Sequence, residues 1–312
     1  MLARTGQALY WIGRYMERAE FTVRLLEATI RLHSLVGAGG ADLGPWQSAL
    51  DVAGAGPAYA ATGESLGAFN VSRYLTLADE NPNSVRASIQ GARENARSAR
   101  NDITRELWEA INRTWTNVRD RSSPGGAQAT NALVDALKAD ARGFEGALSR
   151  MLRSEAYWLM RLGAVIERAD NTARLLDVKY YLILPEGEQI GGVLDRDQWT
   201  TILQTVSARN AYRFLYRQTP KPWLVAELLI FRQELPRSLA SAAAEAVALL
   251  AAFGDRTGRQ GEADRLARRR LNELEEGDID TLFRAGLHES LQRFIGENAA
   301  LDAAIAQQFR FV

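Results

Sequence analysis

A charged motif that occurs twice constrains this 312-residue chain more than any other feature. Gly13-Arg14-Tyr15-Met16-Glu17-Arg18-Ala19-Glu20 continues through Thr22, Arg24, Leu25, Leu26 and Glu27. Gly163, Glu167-Arg168-Ala169-Asp170, Thr172, Arg174-Leu175-Leu176 and Asp177 repeat it at one constant offset. A looser correspondence pairs Arg73-Tyr74-Leu75 with Arg213-Phe214-Leu215, Pro82 and Val85 with Pro222 and Val225, and Arg97-Ser98 with Arg237-Ser238. So many matches at fixed spacing imply an internal duplication, with the two motif segments in equivalent places.

Apolar residues at helical spacing predict helices along nearly the whole chain. In residues 2–35, Ile12, Met16, Ala19, Val23, Leu26 and Ile30 share a broad face, widened by Trp11, Tyr15 and Leu25. Residues 37–67 are rich in glycine, including Gly39-Gly40, and read as a long loop with a short helix around 46–52. Further helices are predicted at 66–78, 84–118, 129–148, 151–184, 197–218, 222–254, 260–276 and 279–309. The stops between them are Asn81-Pro82, Ser122-Ser123-Pro124-Gly125-Gly126, Pro185-Glu186-Gly187 with Gly191-Gly192, Pro220-Lys221-Pro222, Gly254 and Gly277. No alternating strand pattern is present. The expectation is an all-α helical bundle with a pseudo-two-fold internal duplication and about eight to ten helices. Its repeats, about 1–120 and 151–312, are joined by a linker and helix at 121–150 into a single domain.

Hydrophobic residues make up 46% of the chain, enough to bury a sizeable core. Acidic and basic residues balance, so no global field steers the protein toward nucleic acid or an acidic membrane. The absence of cysteine excludes disulfides, thiolate metal sites and cysteine nucleophiles. Arg4, Gln7, Arg14 and Glu17 interrupt any apolar run near the start, and the apolar segment 240–253 contains Glu245 and is too short to span a bilayer. A cytoplasmic protein is expected, without a nucleic-acid or membrane partner.

On a helical wheel Gly13, Glu17, Glu20, Arg24 and Glu27 form one stripe, and Gly163, Glu167, Asp170, Arg174 and Asp177 form another. Glycine inside a helix costs roughly 1 kcal/mol relative to alanine, which an exposed face has no reason to bear twice. Close approach by a backbone or a ligand gives a reason. Three readings follow: a solvated face with ordinary i,i+4 pairs, a buried ion-pair cluster, or a binding or catalytic site. A further stripe, Arg86, Arg93, Arg97 and Arg100 with Glu94 and Asn95 beside it, reads as a solvated face, as a grip for carboxylates or phosphates, or as a partner of the motif acids. As chemistry, Glu17 or Glu167 would be the general base of an enzyme. The four acids are a conceivable oxygen set for magnesium or manganese, but Arg18, Arg24, Arg168 and Arg174 sit among them and would neutralise it, so no metal is expected. His33 and His288 belong to no ligand spacing, and no cofactor-binding loop is present.

The chain resembles the bacterial alpha-E domain family. The residues that carry this are Met1-Leu2-Ala3-Arg4, the run from Tyr10 through Glu20, Arg93-Glu94-Asn95-Ala96-Arg97, Trp108-Glu109 with Asn112, and Glu167-Arg168-Ala169-Asp170. The resemblance implies an all-helical domain associated with circularly permuted ATP-grasp ligases and transglutaminase-like proteins. It therefore implies a part in making or modifying a peptide or amide-linked compound, with those proteins as candidate partners; the paired acid–Arg stripes add a charged peptide as the candidate ligand. The candidate binding residues are Gly13, Arg14, Glu17, Arg18, Glu20, Arg24, Arg93, Glu94, Asn95, Arg97, Glu167, Arg168, Asp170, Asn171 and Arg174.

Overall fold

The computed structural model of the chain describes residues 2–36, 43–181 and 192–311. The first motif lies on α1 (Ala3–Val36) and the second on α8 (Glu155–Tyr181). Neither is a surface helix. Leu9, Tyr10, Ile12, Met16, Ala19, Phe21, Val23, Leu25 and Leu26 are buried around most of the circumference of α1. Leu159, Met160, Leu162, Val165, Ile166, Ala173, Leu175 and Leu176 do the same for α8. A helix apolar on nearly every side is stable only when other elements surround it.

Those elements are α2 (Gly44–Val52), α3 (Gly56–Ala60), α4 (Ala68–Thr76), α5 (Val85–Ser98), α6 (Arg105–Val118) and α7 (Ala127–Ser149) between the motif helices. After them come α9 (Val193–Thr205), α10 (Arg209–Tyr216), α11 (Pro222–Phe231), α12 (Leu239–Thr257), α13 (Glu262–Glu276), α14 (Ile279–Ala285) and α15 (Leu287–Gln308). The most extensive packing in the molecule is between α1 and α8. Around that pair, α5, α7 and α9 cover α1, while α12 and α15 cover α8. One apolar cluster surrounds the start of α1 with α5, α6 and the end of α7. A larger one runs from the second half of α1 through α8 to α12 and α15.

The all-α class holds, and no strand is present among the described residues. The expected count of eight to ten helices is wrong: the described residues hold fifteen. Four helices expected to be continuous are each divided in two, and α3 adds one more inside the expected loop. Local chemistry explains the breaks. Thr104 is extended and its hydroxyl accepts the Leu107 N–H at 3.2 Å, which starts α6 afresh and splits 84–118. Ser238 does the same for α12 through the Ser241 N–H at 3.0 Å, following an extended Arg232 and a proline that has no N–H to give. Ser207 at φ 58° separates α9 from α10, and Gly286 at φ 95° separates α14 from α15. Residues 37–42, with Gly39-Gly40, and 182–191, with the expected stop at Pro185-Glu186-Gly187, lie outside the described residues. No helix among the described residues is long and apolar enough to cross a membrane.

Candidate functional site

The motif glycines stand where α1 crosses α8. A β-carbon on Gly13 would lie 1.9 Å from the Met160 carbonyl oxygen, and one on Gly163 would lie 2.0 Å from the Tyr10 carbonyl oxygen. Both obstacles are backbone, so no side chain can move aside. Each motif helix is the backbone that the other's glycine admits.

This approach sets each Glu-Arg pair against the opposite helix. Arg14 Nε and Arg18 Nε each donate to a separate oxygen of Glu167, both at 2.6 Å. In return Arg168 donates to both oxygens of Glu17, at 2.7 and 3.2 Å. Arg237, just before α12, adds bonds of 2.6 Å to Glu17 and 2.9 Å to Glu20. Arg24 closes on Glu20 at 2.8 Å and reaches the Ser207 hydroxyl at 2.6 Å. Glu17 and Glu167 are each 4% exposed. Burial alone would raise both carboxyl groups, but the facing guanidiniums outweigh it. Arg168 and Arg237 bring Glu17 down to about 2, and Arg14 and Arg18 hold Glu167 below the usual carboxylate value. Burial likewise works against the charge on Arg14 and Arg168, and Glu167 and Glu17 more than restore it. A general base works best when poised near the operating pH. Neither glutamate is poised so.

The ionic cluster has two ends of different character. Glu17, Glu20, Arg24, Arg168 and Arg237 close on one another. At the other end Arg14, Arg18 and Glu167 form a wall of a cleft of about 350 Å³. Asp170, Asn171 and Arg174 of α8 continue that wall; Asn298 and Asp302 of α15 face it, with Asn81, Asn83 and residues 53–55 at the rim. Asp302 accepts from Arg14 Nη1 at 2.7 Å and from the Tyr10 hydroxyl at 2.5 Å. Arg18 Nη1 donates to Asn83 at 2.9 Å, and Arg174 Nε donates to Asp170 at 2.6 Å. Asn171 is buried, and its amide nitrogen has no partner among the described residues. The cleft therefore offers cations and anions within one concave surface.

The remaining candidates lie elsewhere. Arg93, Glu94, Asn95 and Arg97 are on α5 and do not line the cleft. Arg93 donates to Asn112 at 2.7 Å and lies about equally far from the Trp108 and Trp115 rings, at 5.9 and 6.0 Å. Glu94, which accepts from Gln90, and Arg97 are exposed. The α5 arginines therefore do not pair with the motif acids, and Glu17, Arg24, Glu167 and Arg93 do not converge on one cavity. Among the described residues no group of three or more His, Asp or Glu is placed to hold a metal ion. Sequence reasoning missed Asp302, Asn298, Asn81 and Asn83 as cleft residues, for they carry no repeated pattern. Arg237 had a signal, its correspondence to Arg97, but not one that pointed to Glu17.

A family model for Alpha-E, described as a predicted alpha-helical domain with a conserved ER motif, matches residues 1–309. The dipeptide Glu-Arg occurs in this chain at 17–18 and 167–168, the two pairs that the crossing brings face to face. No curated protein and no solved structure matches the chain.

Proposed function

This chain belongs to the Alpha-E family, and from that premise we propose that it is a helical component of an ATP-grasp-linked system that forms or modifies peptide or amide bonds. In this reading it holds a charged peptide, or a charged segment of a partner such as the ligase or a transglutaminase-like protein, in the cleft beside Glu167. The observation that carries the reading is the mixed character of that cleft. Arg174 and Arg18 are suited to a carboxylate, and Asp170 and Asp302 to an ammonium group. Glu17 and Glu167 serve here as fixed charges and not as proton carriers, because both are held in the ionised state.

A purely structural module is the second reading, and the closed cluster of Glu17, Arg168 and Arg237 favours it. The two separate on residues that line the cleft outside that cluster. In natively expressed protein, capture of an ATP-grasp ligase, or binding of a short charged peptide, is expected to be lost in Asp170→Ala and Arg174→Ala while the melting temperature stays within a few degrees. No capture and no peptide binding by the unaltered protein would leave the structural reading standing alone.

A further inference from the structure

A second, half-open cavity is bordered by α11, α13, α14 and α15 and by Leu239 of α12. Its volume is about 190 Å³, and Ile230, Phe231, Leu274, Leu282 and Phe294 make its walls largely apolar. An apolar cavity of about 150 Å³ is known to take benzene, so this one has room for a body of phenyl size. Arg270, Glu273, Asp278, Arg293 and Glu297 are the charged residues in its wall, and of these Arg270 is the buried one. Arg270 is only 6% exposed, and its Nε has no partner among the described residues.

The other contacts of Arg270 do not neutralise it. Nη1 donates to the side-chain oxygen of Asn298 at 3.0 Å, and that amide is neutral and held in place by its own bond to the Ile166 carbonyl oxygen at 3.0 Å. The guanidinium lies 4.4 Å over the Phe294 ring. The nearest carboxylate, Glu297, is 3.9 Å from Nη2, beyond hydrogen-bond length. Two other acids line the cavity: Asp278 caps α14 through Thr281, and Glu273 pairs with Arg269 and acts on Arg270 only from beyond salt-bridge distance. Burial without a close counter-ion lowers the Arg270 value to about 10, the opposite of what Glu17 does for Arg168. A buried guanidinium with an unused N–H and no bonded anion is costly unless something supplies one.

We infer that this cavity binds a monoanionic amphiphile, a carboxylate on an apolar body of about phenyl size, with a carboxylate oxygen taking an N–H of Arg270 Nη2, which has no hydrogen-bond partner among the described residues. Entry runs past α14, a two-turn helix with no buried residue, between Gly277 and Gly286. Glu297 is the internal competitor for the same guanidinium.

The test is calorimetric titration of the full chain with hydrocinnamate and, in parallel, with its neutral amide. The unaltered protein is expected to bind the carboxylate about tenfold more tightly than the amide. Arg270→Met should bring the two within about twofold without lowering the melting temperature, because the replacement removes an under-compensated charge and keeps its bulk. Leu282→Trp, which fills the cavity and leaves Arg270 untouched, should abolish both. Glu297→Gln, which removes the competitor, should strengthen the carboxylate several-fold. Equal binding of acid and amide by the unaltered protein overturns the inference, as does preference for the acid surviving in Arg270→Met. Failure of both ligands to bind overturns it too, and so does carboxylate affinity that does not rise in Glu297→Gln.

Discussion

Two buried ions in this protein show how much depends on the partner. Glu17 accepts three bonds from Arg168 and Arg237, whereas Arg270 has a neutral amide and a ring. Removing one charge from a satisfied buried set strands the others. Glu17→Gln is therefore expected to lower the unfolding free energy by about 3 kcal/mol in urea titration, and an unchanged midpoint would show that the cluster bears no load. At this scale the sequence was informative where a residue occurs twice. Glu17, Arg18, Glu167 and Arg168 stand out because the same letters recur at one offset. Asp302 had no such marker. Its tie to Arg14 closes a gap of 288 residues that no helical period reports.

At the level of the element, the two interior glycines of α1 and α8 differ from others in long helices. Gly13→Ala would drive a carbon into the Met160 carbonyl oxygen, so the helices must part, at a cost of about 3 kcal/mol. Gly146 of α7 has open space around its would-be β-carbon. Gly146→Ala should instead stabilise by about 0.5–1 kcal/mol through helix propensity alone. Thermal melts of the two variants should move in opposite directions, and parallel shifts would refute the crossing as described. The helices themselves were mostly legible, since their apolar faces repeat at the right period. Their ends were less so. Thr104 and Ser238 sit inside apolar patterns that continue on both sides, and periodicity does not register a hydroxyl that turns back to cap the next segment. Predicting one helix where the chain builds two is the cost of reading period before turn chemistry.

For the molecule as a whole, the ionic cluster at the α1–α8 crossing links acid stability to one place. The folded value of Glu17 lies near 2, below its ordinary 4.5, and Glu167 is shifted the same way. A carboxylate depressed by folding contributes fully above its unfolded value and loses that contribution as pH falls toward its folded one. Unfolding free energy should thus decline between about pH 4.5 and 2, with up to about 3 kcal/mol of the decline due to Glu17. Denaturant titrations across that range, repeated on Glu17→Gln, should show a shallower slope in the variant; equal slopes would remove Glu17 from the account. The same crossing has a mechanical consequence. Slipping α1 along α8 by a single residue would present Ile12 or Arg14 to a gap that admits one hydrogen atom. Alignment of the two rods is thus keyed by absent carbon, not by charge, and the ions above and below inherit their pairing from a notch that has no tolerance for error.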